Sequence, residues 1–369
     1  MNQLFRWDQT GLFLLALAAG ILPFAVPEVC AAALREGLAL CCGPLLLSLF
    51  PFLVVSRLLI QCPESDLLAL PFRLAAWGIG IRTPCAARVL CIGFLGGFAP
   101  AASAAAQAVR TGQLTAEEAD ALLPACICSG PSFVVLTVGQ SLLGSAELGV
   151  LLFASQITAN YLTAALLNRF SGVHSVKQRP AAPASPAPPR LDEILADAAI
   201  TYCKLCGFIL FFRLLAAGAG ALLPAGAGTL CAILLEVCSG CDLASRTGRW
   251  GSLLCCAALS VQGLSVLLQV RTICPPEMTL RPLYRSRMLH LPLSLALFYL
   301  LLPGGEADVF STLPARVLLM RRVPPDCALL VFAVCCMAAC TLRSGIRQVE
   351  QKQMARNAGG CCINSKTLL

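Results

Sequence analysis

Apolar residues run through this chain in long uninterrupted stretches, and the charged positions fall between those stretches instead of alternating within them. Residues 11–26 carry no charge; 41–56 carry none either, and the run continues past Arg57 to Ile60. Residues 89–109, 121–146, 148–168, 214–235, 251–270, 291–305 and 327–342 follow, with a further apolar run around Lys204 that leads into Arg213. A helix needs roughly 20 apolar residues to cross a hydrocarbon core of about 30 Å. The pattern therefore predicts an all-α, polytopic transmembrane helical bundle.

Composition agrees. Of 369 residues, 58% are hydrophobic and 12% charged, whereas a soluble domain carries about a quarter charged residues. Most of the 22 cysteines fall inside apolar runs, where Cys acts as a small hydrophobe, so the count does not point to a disulfide framework. The first run, preceded by Arg6, has the look of a signal peptide, but the later spans make an uncleaved first helix sufficient for insertion.

The proline-rich segment 171–190 cannot be a packed helix and reads as a linker. It separates a first repeat at 41–170 from a second at 191–305. A transmembrane helix and loop at 1–40 precede them; a loop and helix at 306–345 and a basic tail at 346–369 follow. Three features recur in order in the two halves. An aromatic apolar run ends in Arg-Leu-Leu at Arg57 and again at Arg213. A small-residue element at Gly93-Phe94-Leu95-Gly96-Gly97-Phe98 has its counterpart around Ser239-Gly240. Ser129-Gly130-Pro131-Ser132 then corresponds to the stretch around Gln262-Gly263.

Charge placement fits two inverted repeats, each with a broken or re-entrant helical hairpin, at 89–109 and 226–241. Both termini and the linker are then cytoplasmic, as are Arg57, Arg73, Arg82, Arg88, Arg110, Arg271, Arg281, Arg285 and Arg287. Arg35, Arg246, Arg249, Arg316, Arg321 and Arg322 lie outside, which is the positive-inside bias. Residues 63–88 and 275–289 mix arginines with aromatic and aliphatic residues and read as headgroup-layer segments, not nucleic-acid patches. Thr115-Ala116-Glu117-Glu118 has the capping-box pattern, so a helix is expected to start there in water and dip into lipid.

Interruptions inside apolar runs point to a site. Gly93, Gly96, Gly97 and Pro100 interrupt one run, Gly130-Pro131 a second, Ser239-Gly240 and Gly263 two more. In lipid every freed backbone group needs a partner, so broken helices gather where something is coordinated; the plainer reading is close helix packing at glycine. Glu236 stands out because an intramembrane carboxylate costs about 2.5 kcal/mol or more. Its role is either solute or proton binding or neutralisation of Lys204 or Arg213. Gln262, Ser265 and Gln269 share one helix face. Cys203-x-x-Cys206 and Cys238-x-x-Cys241 have zinc-like spacing but sit in apolar segments, and no metal or cofactor is expected. Only two histidines occur, and no catalytic or nucleotide-binding motif is present, so an enzyme is not expected.

Several of these segments resemble one family. Leu49-Phe50-Pro51-Phe52, Gly93 to Phe98, Gly112-Gln113-Leu114-Thr115, Ser129 to Phe133, Glu236-x-x-Ser239-Gly240-Cys241, Gly263-Leu264-Ser265-Val266-x-x-Gln269 and Arg287-x-x-His290 are similar to YlbJ-type sporulation integral membrane proteins of the nucleoside-recognition, or Gate, group. The resemblance implies a cell-membrane protein of endospore-forming bacteria, involved in spore cortex formation and akin to the gate regions of nucleoside and ferrous-iron transporters. Where that family commonly shows Asn-Asn, this chain has Ile127-Cys128, and isoleucine cannot hydrogen-bond a solute. The expected function is a transporter-like gate for a small polar solute in the lipid bilayer. Glu236, Ser239, Gln262, Ser265 and Gln269 line one side and Ser103, Gln107, Ser129 and Ser132 the other, with Gly96, Gly97, Gly130, Pro131, Gly240 and Gly263 at the interruptions. The alternative is a non-transporting scaffold that holds spore-assembly proteins.

Overall fold

The computed structural model describes residues 9–61, 63–171 and 190–302; among these it is all-helical, without a strand. Most of the linker, the expected span at 327–342 and the basic tail lie outside the described residues. The helices are α1 (Gln9–Ala25), α2 (Pro27–Cys42), α3 (Pro44–Gln61), α4 (Leu70–Gly78), α5 (Pro84–Gly96), α6 (Phe98–Arg110) and α7 (Ala116–Cys126). A π-helix, Ser132–Leu142, precedes α8 (Ala146–Ser171). Then come α9 (Leu191–Leu222), α10 (Ala225–Leu235), α11 (Val237–Ser245), α12 (Gly251–Val261), α13 (Gly263–Ile273) and α14 (Arg281–Leu301).

Among the described residues four stretches are long and apolar enough to cross a membrane: Pro27–Ile60, Ala146–Phe170, Leu191–Leu222 and Gly248–Ile273. Phe24, Leu47, Phe170 and Leu300 are each at least 78% exposed, while Gln156, Asn160, Glu236, Gln262, Gln269 and His290 are at most 2% exposed. Water would reverse that arrangement; lipid produces it, because only the interior offers polar groups a partner.

The two halves repeat one order of elements. α3 and α9 lead; a pair of short helices follows in each, α5–α6 and α10–α11; then a broken helix, α7 with the π-helix and α12 with α13; then α8 and α14. Each short pair folds back on itself. A Cβ added at Gly93 would lie 3.2 Å from Ala101 Cβ, whereas eight residues of straight helix rise about 12 Å. Gly240 packs in the same way, with Ile233 Cα 2.8 Å from where its Cβ would be.

Three expectations need correction. Residues 27–40 form most of a helix instead of a loop: Pro27 starts α2, where its fixed φ suits the first turn, and Gly37 lets Leu210 of α9 approach. Residues 281–289 belong to α14, with Leu283, Ser286 and Arg287 buried, and are not a headgroup-layer segment. The capping box forms, with Glu118 N–H donating to Thr115 Oγ1 at 3.1 Å and Thr115 N–H to Glu118 Oε2 at 3.1 Å; Glu117 is exposed, but the Glu118 side chain is covered by protein. Glu118 is 4% exposed and accepts from Thr83 Oγ1 at 2.7 Å.

Asp120, two residues on, ties α7 to the turn before α14. It accepts from Thr279 N–H at 2.8 Å, Thr279 Oγ1 at 2.7 Å and Leu280 N–H at 3.0 Å. Asp120→Ala removes three bonds to a charged acceptor and strands two backbone donors. An unfolding free-energy loss of about 2–4 kcal/mol is expected, read from chemical denaturation in detergent. A loss under half a kcal/mol, on the order of an ordinary surface change, would contradict it.

Candidate functional site

Interruptions in the helices meet in pairs. α5 passes into α6 at Gly97, whose φ of 82° lies in the left-handed region, and a Cβ there would come 2.7 Å from Gly130 N in the gap between α7 and the π-helix. In the second half α12 passes into α13 through Gln262 (φ 64°) and Gly263 (φ 68°), and a Cβ on Gly263 would come 2.9 Å from Glu236 N. Glycine at 97 and 263 is therefore required twice over, by dihedral and by contact. Gln262 has no such freedom. It is 1% exposed, holds a left-handed backbone, and neither amide atom has a hydrogen-bond partner. Strain and an unmatched amide at one residue mark a working position more often than a structural one.

Glu236, not Ser239-Gly240, makes the break in the α10–α11 pair. Its backbone is extended, and its carboxylate caps α11: Oε1 accepts from Cys238 N–H at 2.8 Å, and Oε2 from Ser239 N–H at 2.7 Å and Ser239 Oγ at 2.9 Å. A carboxylate suits that place because the first N–H groups of a helix lack acceptors and carry its positive dipole end. Gly240, four residues after the capping Glu236, serves packing. No salt bridge joins either expected cation to Glu236, although the Arg213 charge acts on that of Glu236. Arg213 pairs with Glu36 of α2 at 2.8 Å, and Lys204 makes no ion pair among the described residues. Arg57 of α3 pairs with Asp197 of α9 at 2.6 Å. The two buried arginines thus reach reciprocally across the halves.

Between the paired breaks lies a cavity of about 50 Å³. Gly96, Phe98, Ser129, Gly130, Ser132 and Phe133 line it from the first half, and Glu236, Val237, Cys238, Val266 and Gln269 from the second. Leu45, Leu49 and Ile209 of α3 and α9 close its sides. α6, the π-helix and α11 all begin at its wall, so their first-turn N–H groups gather there. A volume of this size holds about three waters or a small ion.

No protein-family model, curated protein or solved structure matches this chain. The site is therefore judged on its own geometry. Of the residues expected to face a solute, Gly96, Ser129, Gly130, Ser132, Glu236 and Gln269 line the central cavity. Ser239 holds Glu236, and Ser265 accepts from Gln269 Nε2 at 2.9 Å, which leaves Gln269 Oε1 without a partner. Gly97 and Gly263 form the crossing points. Ser103 lines a neighbouring cavity of about 160 Å³ instead, and Gln269 borders both. Gln107, Pro131, Gly240 and Gln262 line neither.

Sequence reasoning missed Arg287. Read as a cytoplasmic arginine, it is 9% exposed and sits behind the two broken helices. Its Nη1 donates to Ile127 O at 3.5 Å, at the end of α7, and to Ser260 O at 3.4 Å, near the end of α12; its Nη2 donates to Asn160 Oδ1 at 3.0 Å and Ser286 Oγ at 3.2 Å. A cation is favourable where two helix C-termini expose carbonyls. Asn160 Nδ2 adds a bond to Ile127 O at 3.3 Å, so the carbonyl released by the first break has two donors. Around it, Gln156 Nε2 donates to Ser260 Oγ at 2.9 Å, and His290 Nε2 meets Gln156 O at 3.2 Å. The two CxxC pairs do not assemble: among the described residues no three His, Cys, Asp or Glu side chains cluster as metal ligands.

Proposed function

We propose that this chain is a transporter-like gate that passes a small polar solute between its two halves, which act as inverted repeats with re-entrant helix pairs. In keeping with the YlbJ-type resemblance, its place is the cell membrane of a spore-forming bacterium, in support of cortex formation. One observation carries the reading: the four helix interruptions touch in pairs, and three of them line one cavity built from both halves. Packing glycines alone would not bring them to a shared space. The pairs Arg57–Asp197 and Arg213–Glu36 tie α9 to α3 and α2, holding the second half against the first.

The central cavity is smaller than a typical ligand pocket of about 300 Å³ or more. The arrangement is then an occluded state, and the solute enters when the paired breaks part. Glu236 is the group to test. Glutamine keeps its shape, but the amide nitrogen cannot accept from Cys238 N–H or Ser239 N–H, so the start of α11 loses part of its cap. Full-length protein in proteoliposomes, offered a panel of labelled small polar metabolites, is expected to take up at least one, and Glu236→Gln to reduce that uptake about tenfold or more. Folded wild-type protein that moves nothing across the panel would leave the scaffold in place of the gate.

A further inference from the structure

The neighbouring cavity of about 160 Å³ has a charge composition that the gate reading leaves unexplained. Arg57, Arg110 and Lys204 line it, opposed by Asp197 alone, so two positive charges are left over. Arg57 gives Nη1 to Asp197 at 2.6 Å, but it is only 8% exposed and its Nε has no hydrogen-bond partner. Neither Arg110 nor Lys204 makes an ion pair among the described residues. Ser103 and Thr201 add hydroxyls to the same wall. The volume holds about ten waters, which leaves room for a guest of several heavy atoms.

We propose that this cavity binds a small free oxyanion, a phosphate or carboxylate, and is the outer station of the gate; in that second part it rests on the reading above. The argument is chemical. Two arginines, an ammonium and two hydroxyls form a donor set of the kind that binds oxyanions. Arg110 and Lys204 are exposed, so solvent can reach their charges; the surplus they leave disfavours a cation in the cavity and favours an anion. Gln269, bordering both cavities, stands where this station adjoins the central one.

The test is equilibrium binding to full-length protein in phosphatidylcholine nanodiscs, in phosphate-free buffer, by calorimetry. Inorganic phosphate or acetate should bind saturably and glycerol should not. Lys204→Met and Arg110→Gln, each shown to be folded by its thermal melt, should weaken the binding at least tenfold. A parallel arm titrates phosphatidylglycerol, whose lipid phosphate, unlike that of phosphatidylcholine, carries no compensating headgroup cation. Absence of saturable anion binding, anion binding unchanged in both variants, or binding of the lipid phosphate alone would each overturn the proposal. Uptake of a neutral metabolite without anion binding would sink this station and keep the gate; anion binding without any uptake would do the reverse.

Discussion

Replacing Gly97 with alanine is expected to destabilise the protein by about 3 kcal/mol or more and to abolish uptake. Two costs add. Gly97, at φ 82° and ψ −164°, holds a backbone conformation essentially reserved for glycine, which costs an L-residue about 1–3 kcal/mol, and the new methyl would sit 2.7 Å from Gly130 N, a clash with backbone that costs about 1–3 kcal/mol more. Gly144 separates them, since its φ of 73° is similar but a Cβ there meets nothing within 4 Å. Gly144→Ala should therefore show the dihedral cost alone. Chemical denaturation of both variants in detergent decides the matter: equal losses would mean that the two breaks do not bear on one another. Gly263→Ala, against Glu236 N, should behave like Gly97→Ala.

The second large effect is expected at Arg287. Methionine there fills a similar volume but leaves Ser260 O and Asn160 Oδ1 without that donor and removes the cation facing two helix C-termini. Each buried orphan costs about 1–3 kcal/mol. Removing a desolvated charge acts in the opposite direction, but this guanidinium is well supplied with acceptors, so the orphans should dominate and the net loss should be about 2–4 kcal/mol. Lysine keeps charge without the planar fork and should recover only part of it. Melting temperatures of Arg287→Met, Arg287→Lys and wild type, compared side by side, give the ordering; a methionine variant as stable as wild type would show that the clamp holds nothing.

Much of the class of this protein can be read in its sequence. Charge-free runs foretell helices in lipid because the solvent demands them, and Gly97 and Gly130-Pro131 foretell breaks because those residues fit helices badly. The Thr115 capping box is local, and local chemistry survives into the structure. What is not local is hidden. Glu236 displaces the break from Ser239-Gly240 because a side chain reaching forward two and three residues can end one helix and start the next, while the glycine nearby serves only packing. Arg57 and Arg287 look like interfacial cations beside apolar runs. Asp197, 140 residues from Arg57, and Asn160, 127 residues from Arg287, are brought near only by the fold. α2 went unseen because Arg35 and Glu36 interrupt its apolar pattern, and Glu36 finds its partner on α9.

Arg287 also constrains how such a molecule can move. One rigid fork on α14 grips the ends of α7 and α12 together, so those ends cannot slide apart without losing it. In the proposed gate, rocking of one half against the other would pivot there. The stroke grows with distance along α13, and Gln269, six residues beyond Gly263 and about 9 Å further up the helix, sits out on the lever arm.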